Sequence, residues 1–452
     1  MKIGFLAMSG VRVQNAKLLA SGLTLPGFVE RSEVIASLPS LSMLTLAAMT
    51  PTSEFEIEYR EARDVNEIAV LPDWDVVALT TLSAQAFEAY SIADRFRARG
   101  TIVIMGGLHV TSVPDEALQH SDAIVIGEGE PTWPRVLADL RAGRLQRVYR
   151  SDVVSFDLAQ APMPRFDLLD PTRYNRIPIQ TSRGCPHRCD FCASSILLTP
   201  KYRTKPVERV IAELHRVKEI WPHPFIELAD DNSFAVRSHG KALLDALKHE
   251  NVRWFTEADI SIADDEALLD ALADSGCRQV LVGLESPSRA SLGGIEMRRD
   301  FKLERLEGYE RAIRRIQSRG VTVNGCFILG LDGDGPDCFD AVAEFVERTG
   351  LYEVQVTVLT PFPGTPLHAR LEREGRLIDP RDWSKCTLFD VNFHPKGMTA
   401  DELQEGLLHL VQRLYEPSAV RTRRHRFFSD LRSARRASLR GLEADMLAVR
   451  AG

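Results

Sequence analysis

Three cysteines crowd into the stretch Thr181-Ser182-Arg183-Gly184-Cys185-Pro186-His187-Arg188-Cys189-Asp190-Phe191-Cys192. Their spacing is Cys-x3-Cys-x2-Cys. Three thiolates on one short loop can ligate three irons of a cubane [4Fe–4S] cluster, leaving the fourth iron without a protein ligand. An iron left open in this way can take a substrate. The rival reading is structural zinc, which is usually four-coordinate and built from two ligand pairs. His187 is poorly placed for that role between the first two cysteines, and no second pair lies nearby.

Acidic groups recur where strands should end: Asp230 and Asp231 in ELADDNSF, Glu257 and Asp259 after WFT, and Glu285-Ser286 in VGLESP. At the mouth of a barrel such groups suit hydroxyl and ammonium recognition. Asp264 and Asp265 read instead as helix caps. The other four cysteines, Cys277, Cys326, Cys338 and Cys386, are scattered and read as core packing. Cys326, on a strand, is the one that could face a barrel interior.

The elements that must position these groups form two alternations. In residues 1–150, apolar runs at Ile3–Ala7, Val76–Leu79, Ile102–Met105 and Ala123–Ile126 alternate with helical patterns such as Gln85–Arg99, closed by Gly100. Continuous apolar strands between helices predict a parallel sheet covered on both faces. Turn residues follow the strands at Thr80-Thr81, Gly106-Gly107 and Gly127-Glu128-Gly129. Ligands of open α/β sheets sit in the crevice beyond those strand ends. Residues 151–175, with Pro162, Pro164 and Pro171, read as a linker over the surface.

From 176 to 370 a second alternation begins. Strands are expected at Ile177–Thr181, Phe225–Ala229, Arg253–Thr256, Gln279–Leu284, Thr322–Leu329 and Glu353–Leu359, and helix ends at Gly276, Gly320 and Gly350. Right-handed crossovers would curl this run into a partial (β/α)6 TIM-like barrel. Pro178 then demands that the first strand lie at an edge or begin there. Residues 371–452 read as a helical extension, basic over Arg421–Arg440. The expected class is α/β: a Rossmann-like doubly wound sheet, a partial barrel and a helical C-terminal region.

The balance of 56 Lys+Arg against 63 Asp+Glu, a net charge of -7, argues against bulk nucleic-acid binding. An odd number of cysteines, three of them clustered, argues for thiolates kept reduced, hence a cytoplasmic protein. No signal peptide or membrane span is legible.

The cysteine loop, with Phe191 just before the third cysteine, resembles the signature of the radical S-adenosylmethionine superfamily. The segments GGLHVTSVPDEAL (106–118) and IGEGEPTWPRVL (126–137) resemble the cobalamin-binding domain that precedes the barrel in many members. The resemblance therefore points to the cobalamin-dependent (B12-binding) radical S-adenosylmethionine family. It implies a [4Fe–4S] cluster on Cys185, Cys189 and Cys192. It implies S-adenosylmethionine contacts from Phe191, Asp230, Asp231, Glu257, Glu285 and Ser286, although the usual Gly-Gly-Glu is absent. Cobalamin would meet Thr80, Thr81, Ser83, Gly106, Gly107, His109, Val110, Gly127, Glu128 and Gly129. The Asp-x-His-x-x-Gly motif is missing, so no histidine would ligate cobalt from below.

The family's activity implies a 5′-deoxyadenosyl radical that takes hydrogen from an unactivated carbon, and a methyl group delivered to it from cobalamin. A C-methyltransferase is the leading expectation. A radical cyclase or rearrangement enzyme with the same cofactors, and a non-catalytic cofactor-binding regulator, are the alternatives. The partners implied are a small or lipid-like substrate and an electron donor such as flavodoxin or ferredoxin. The C-terminal stretch resembles members acting on hopanoids and other hydrophobic natural products. Its arginines, with Phe427, Phe428 and Leu431 between them, suit either weak contact with an anionic membrane surface or a helix packed on the barrel, and packing is the favoured reading.

Overall fold

The computed structural model describes residues 1–21, 34–35, 38–151, 156–198 and 201–433. The N-terminal part is a six-stranded sheet of β1 (Lys2–Met8), β2 (Glu56–Ala62), β3 (Val76–Thr80), β4 (Ile102–Gly106), β5 (Ala123–Ile126) and β6 (Val148–Arg150). Every pairing is parallel and the order is β2-β1-β3-β4-β5-β6. The order reverses between β1 and β3, which opens a crevice beyond their carboxyl ends. The four apolar runs are the central strands. β2 and β6 carry no such run because they are the two edges: β2 reads EIEYREA, with Glu56 and Arg60 exposed. Charged edge strands resist pairing with other chains.

The second sheet contains β7 (Ile177–Ile179), β8 (Phe225–Leu228), β9 (Arg253–Ala258), β10 (Cys277–Glu285), β11 (Thr322–Leu329) and β12 (Glu353–Val358). These strands are also parallel, in sequential order from β7 at one edge to β12 at the other. It is the six-stranded partial barrel the alternation predicts. Pro178 lies on the edge strand β7, opposite Glu227, where its missing N–H breaks no ladder on the open side. Helices fill the crossovers. In Val207–Ile220, Val210, Leu214 and Val217 are buried, with Val207 and Ile211 packed beside them. Tyr309, Ile313 and Ile316 do the same in Tyr309–Ser318. Burying one such aliphatic side chain fully contributes about 1.5–3 kcal/mol. Gly276 closes a helix at φ +92, and a Cβ there would lie 2.0 Å from the Val252 carbonyl oxygen, so only glycine fits the turn. Asp265 caps Glu266–Asp274 by accepting from the Leu268 N–H, whereas Asp264 pairs with Arg305.

Two regions pack more tightly than their composition predicts. In the 151–175 linker, Leu158 and Phe166 are buried, and the Arg165 N–H donates to the Leu44 carbonyl. The prolines bend the segment, but its apolar residues dock. The C-terminal region is not helical throughout either. Between Pro366–Arg373 and Ala400–Tyr415 the chain runs through turns and bends, with a short 3-10 helix at Trp383–Lys385. Trp383 and Cys386 join the first sheet's core, while Phe389 and Phe393 join the barrel's, so the segment straps the two together.

Residues 417–433 are helical. Phe427 is buried against the Tyr352 ring, 5.0 Å between centroids. Arg423 donates to the Leu414 carbonyl, Arg424 lies over Tyr352, and Arg426 donates to the carbonyls of Glu347 and Arg348. These contacts match the packed-helix expectation. Arg435, Arg436 and Arg440 lie outside the described residues. Among the described residues no helix is long and apolar enough to cross a membrane.

Candidate active site

The cysteine loop opens from a two-stranded antiparallel ribbon, Ser182–Arg183 against Arg203–Thr204. Gly184, at φ +97, turns the chain out of the ribbon, and its N–H donates to Asp231 over 2.9 Å. Further on, the Ser194 hydroxyl donates to the other Asp231 oxygen. Asp231 therefore brackets the loop from both sides. A second anchor is the segment after β10. The Asp190 N–H donates to the Ile295 carbonyl, and the Met297 N–H donates to the Arg188 carbonyl. His187 meets Asp259 at 3.2 Å and lies against Phe301, so it anchors the loop.

Burial pushes the Cys185 thiol up to about 12 and raises Cys189 and Cys192 as well. Enclosed thiols of this kind stay protonated until a metal displaces the proton. Among the described residues, no set of three His, Cys, Asp or Glu side chains converges where one metal ion could be held. A cubane spreads three thiolates over three irons, and this donor set fits a cluster. The buried ion pair Lys302–Glu285, at 2.8 Å, stands beside Cys189, where the ammonium favours the thiolate and the carboxylate opposes it.

The acidic residues at the strand ends do not share one role. Asp230 is buried, and its carboxylate accepts from the N–H groups of Thr181 (2.7 Å) and Ser182 (2.8 Å) and from the Thr181 and Ser233 hydroxyls. It is a strut under the start of the cysteine loop. Glu285 stands at a β-bulge with φ +62, a conformation that stores about 1–3 kcal/mol of strain. Its carboxylate is taken up by Lys302. Ser286 is buried, its hydroxyl accepting from the Ser288 N–H. Phe191 packs against the barrel core. Asp230 and Glu257 both line a cavity, but where Asp230 is buried the Glu257 side chain is open to it. Loss of water to the surrounding cavity walls, together with Glu227, Asp231, Asp230 and Glu285 nearby, pushes its carboxyl up to about 8. A site this acidic favours an ammonium group.

That cavity, about 630 Å³, lies between the two sheets. One wall comes from the carboxyl ends of the first sheet: Met8–Gly10 after β1, Thr80 and Thr81 after β3, Gly106 and Gly107 after β4, and Gly127–Glu130 after β5. The other wall is the barrel mouth, with Gln180, Arg183, Glu227, Asp231 and Glu257. Leu38, Leu41, Leu46, Leu108, Ala161 and Pro164 give it an apolar flank. The first wall is a cradle that side chains would fill. A Cβ on Gly106 would find its nearest neighbours 3.6 Å away, and one on Gly127 would meet nothing within 4 Å. A flat cofactor can approach the backbone there, so the residues fit cobalamin.

Seven of the ten residues expected to meet cobalamin line this cavity. Ser83, His109 and Val110 do not, and all three are buried. His109 is wholly enclosed, with Nδ1 on the Ser83 hydroxyl, Nε2 on the Tyr90 hydroxyl and the Trp383 ring at 5.7 Å. It is a packing hub for the strap, and both ring nitrogens are occupied. Gly107 is close to Thr80, not only to the cavity: a Cβ there would lie 2.5 Å from the Thr80 hydroxyl. Sequence reasoning missed Arg183, Glu130, Lys302 and the end of β1. The last was accessible, since β1 flanks the point where strand order reverses. Lys302 carried no signal, because its partner is fixed only by the bulge. All seven cysteines are free. Cys326, beside Glu257 and Glu285, does border the barrel interior, with burial holding its thiol well above the ordinary value.

Comparison with known proteins agrees with this geometry. Residues 179–346 match the model of the radical SAM superfamily, 32–137 that of the B12 binding domain, and 365–451 a domain of unknown function (DUF4070). A relative from Synechocystis sp., named an uncharacterized methyltransferase, is 30% identical over 405 residues, 87% of this chain and 74% of its own. The bacteriochlorophyllide d C-12(1)-methyltransferase of Chlorobaculum tepidum is 27% identical over 84% of this chain and 83% of its own. Among solved structures, the radical S-adenosylmethionine methyltransferase TsrM from Kitasatospora setae, with cobalamin and a [4Fe–4S] cluster bound, shares the fold. Its TM-score is 0.65 at 16% identity, covering 92% of this chain and 89% of that one. The chain belongs to the cobalamin-dependent radical S-adenosylmethionine family.

Proposed function

We propose that the protein is a C-methyltransferase that acts on an unactivated carbon of a small or lipid-like molecule. The observation that carries this reading is the single cavity shared by the glycine-lined crevice of the first sheet and the acidic mouth of the barrel. With a [4Fe–4S] cluster on the cysteine loop and S-adenosylmethionine and cobalamin in the cavity, the cofactors would supply one-electron cleavage of a sulfonium and delivery of a methyl group. The chain's own residues do the rest. Cys185, Cys189 and Cys192 hold the cluster on a loop stapled by Asp231, Asp259 and the Ile295–Met297 segment. Glu257 offers a carboxyl to the methionine ammonium, whose charge would draw off its proton. Gly106 and Gly127 let cobalamin approach the strand ends. The apolar flank excludes water and suits a hydrophobic substrate, in keeping with the bacteriochlorophyllide d named for the Chlorobaculum relative.

The electron comes from a low-potential donor of the flavodoxin or ferredoxin class. The test is anaerobic turnover with hydroxocobalamin, S-adenosylmethionine and reduced flavodoxin, on extracts fractionated for lipid-like molecules. Methyl transfer yields both 5′-deoxyadenosine and S-adenosylhomocysteine. A cyclase or rearrangement enzyme yields the first without the second, and a regulator yields neither.

A further inference from the structure

The β5 loop reaches out of the first sheet and ends on the base of the cysteine loop. Glu128 accepts from Arg183 at 2.7 Å and from Arg203 at 2.7 and 3.1 Å, and Glu130 accepts from Arg183 at 2.8 Å. Arg183 and Arg203 are direct cross-strand partners in the ribbon from which the cysteine loop opens. Like charges directly opposite one another destabilise a ribbon. The side chains are largely withdrawn from water, with relative exposures of 18% for Arg183, 13% for Arg203, 10% for Glu128 and 9% for Glu130. Glu128 sits between the two guanidiniums and neutralises their repulsion, and it also accepts from the Phe156 N–H at 2.7 Å. With the first sheet displaced, the ribbon would hold two adjacent cations without their counter-charges.

We propose that Glu128 and Glu130, with Arg183 and Arg203, form a positioning clamp that couples docking of the first sheet to closure of the cysteine loop. Closing the loop favours docking, docking favours the loop, and the coupling is reciprocal by linkage. The clamp thereby sets the spacing between the cobalamin crevice and the cluster. On this account Glu128 acts through the arginines and is not itself a cobalamin contact. The inference rests on the cofactor assignment above for its purpose, while the clamp itself is testable without cobalamin.

The test uses the full chain with Glu128→Gln and Glu130→Gln, singly and together. Gln keeps the shape and removes the charge. Two measurements are made without added cobalamin: hydrogen exchange over 126–133 and 180–184, and the rate at which a chelator strips iron from the reconstituted cluster. In the double variant both should rise together by roughly tenfold or more, with exchange over 322–329 unchanged. Neither glutamate is near a cysteine in sequence, so faster iron loss reads coupling and not a lost ligand. Reconstituting the cluster in the wild type should in turn slow exchange over 126–133. Glu250→Gln, which removes an ion pair with Lys218 on the far surface, should move neither rate. If the double variant does not fold, Glu130→Gln alone, which frees one arm of Arg183, carries the same test. Iron loss and exchange at wild-type rates in a folded variant would overturn the clamp. With hydroxocobalamin added, pulsed EPR between cob(II)alamin and the reduced cluster should give one narrow distance in the wild type and a broader distribution in the variant. A wild type that retains no cobalamin refutes the cofactor assignment and leaves the exchange and iron results to decide the clamp.

Discussion

Replacing Asp230 separates a strut from a ligand. Its carboxylate receives two backbone N–H groups, at 2.7 and 2.8 Å, and two hydroxyls, all of them buried. In Asp230→Ala the hydroxyls can turn elsewhere, but the N–H groups of Thr181 and Ser182 cannot. Each buried donor left unpaired costs about 1–3 kcal/mol, so the pair costs about 2–6 kcal/mol. Burial raises the Asp230 carboxyl above its ordinary range, so removing it relieves part of a desolvation penalty. The net loss should then fall near about 2–4 kcal/mol. Asp230→Asn keeps one oxygen for the two N–H groups and should lose less than about 1.5 kcal/mol. A chain of this size need not unfold in two states, so the assay is local hydrogen exchange at Thr181 and Ser182 in cluster-free protein. The alanine variant should exchange roughly 30- to 700-fold faster there, the asparagine variant roughly tenfold or less. Unchanged exchange in Asp230→Ala, with loss of S-adenosylmethionine binding in both variants, would refute the strut and restore Asp230 as a ligand.

Other outcomes follow from the same geometry. Gly106→Val should leave cluster-free stability within about 1 kcal/mol, because a Cβ there has room, yet abolish retention of hydroxocobalamin through gel filtration. Gly107→Val is a poorer probe, since its Cβ strikes Thr80. Glu257→Gln should remove a pH dependence. The Glu257 carboxyl is raised to about 8 in the fold from an ordinary 4.5, so the native state holds the proton longer than the unfolded chain does. Wild-type stability contributed by this group therefore falls as pH rises from about 4.5 to 8. The variant should melt higher than wild type at pH 9 and match it at pH 4, and equal melting at both would contradict the desolvated-acid account. Finally, the full chain should not co-sediment with anionic vesicles at low salt any more than a chain ending at Pro417, because Arg423, Arg424 and Arg426 are spent on the barrel.

Much of this was legible in the residues themselves. Every barrel strand was marked by a short stretch of apolar and β-branched residues between helical patterns, and Thr322–Leu329 matched to the residue. The edge strands β2 and β6 escaped because an edge is selected for charge, not for burial. The cysteine loop was readable since its spacing alone encodes three ligands. The acids were harder. Asp230, Asp231 and Glu257 all lie at or near strand ends and line the cavity, yet one carries backbone donors, one brackets a loop and one is open to the cavity. Nothing in a sequence distinguishes a carboxylate that receives N–H groups from one that awaits a ligand. His109 misled for a similar reason: a histidine after a glycine turn suits a crevice, but Ser83, Tyr90 and Trp383 enclose it. The arginines of the clamp lay next to the motif and remained unread, because their partners come from the other sheet.

The central claim is that Cys185, Cys189 and Cys192 hold a cluster that cleaves S-adenosylmethionine reductively. Its most direct measurement is product analysis after anaerobic incubation of reconstituted, cobalamin-loaded protein with S-adenosylmethionine and a reductant, beside the variant with Cys185, Cys189 and Cys192 all changed to Ala. The wild type should hold about four irons at this site and release 5′-deoxyadenosine, and the triple variant should do neither. Reductive formation of 5′-deoxyadenosine by the triple variant, or none from iron-replete wild type, would contradict the account.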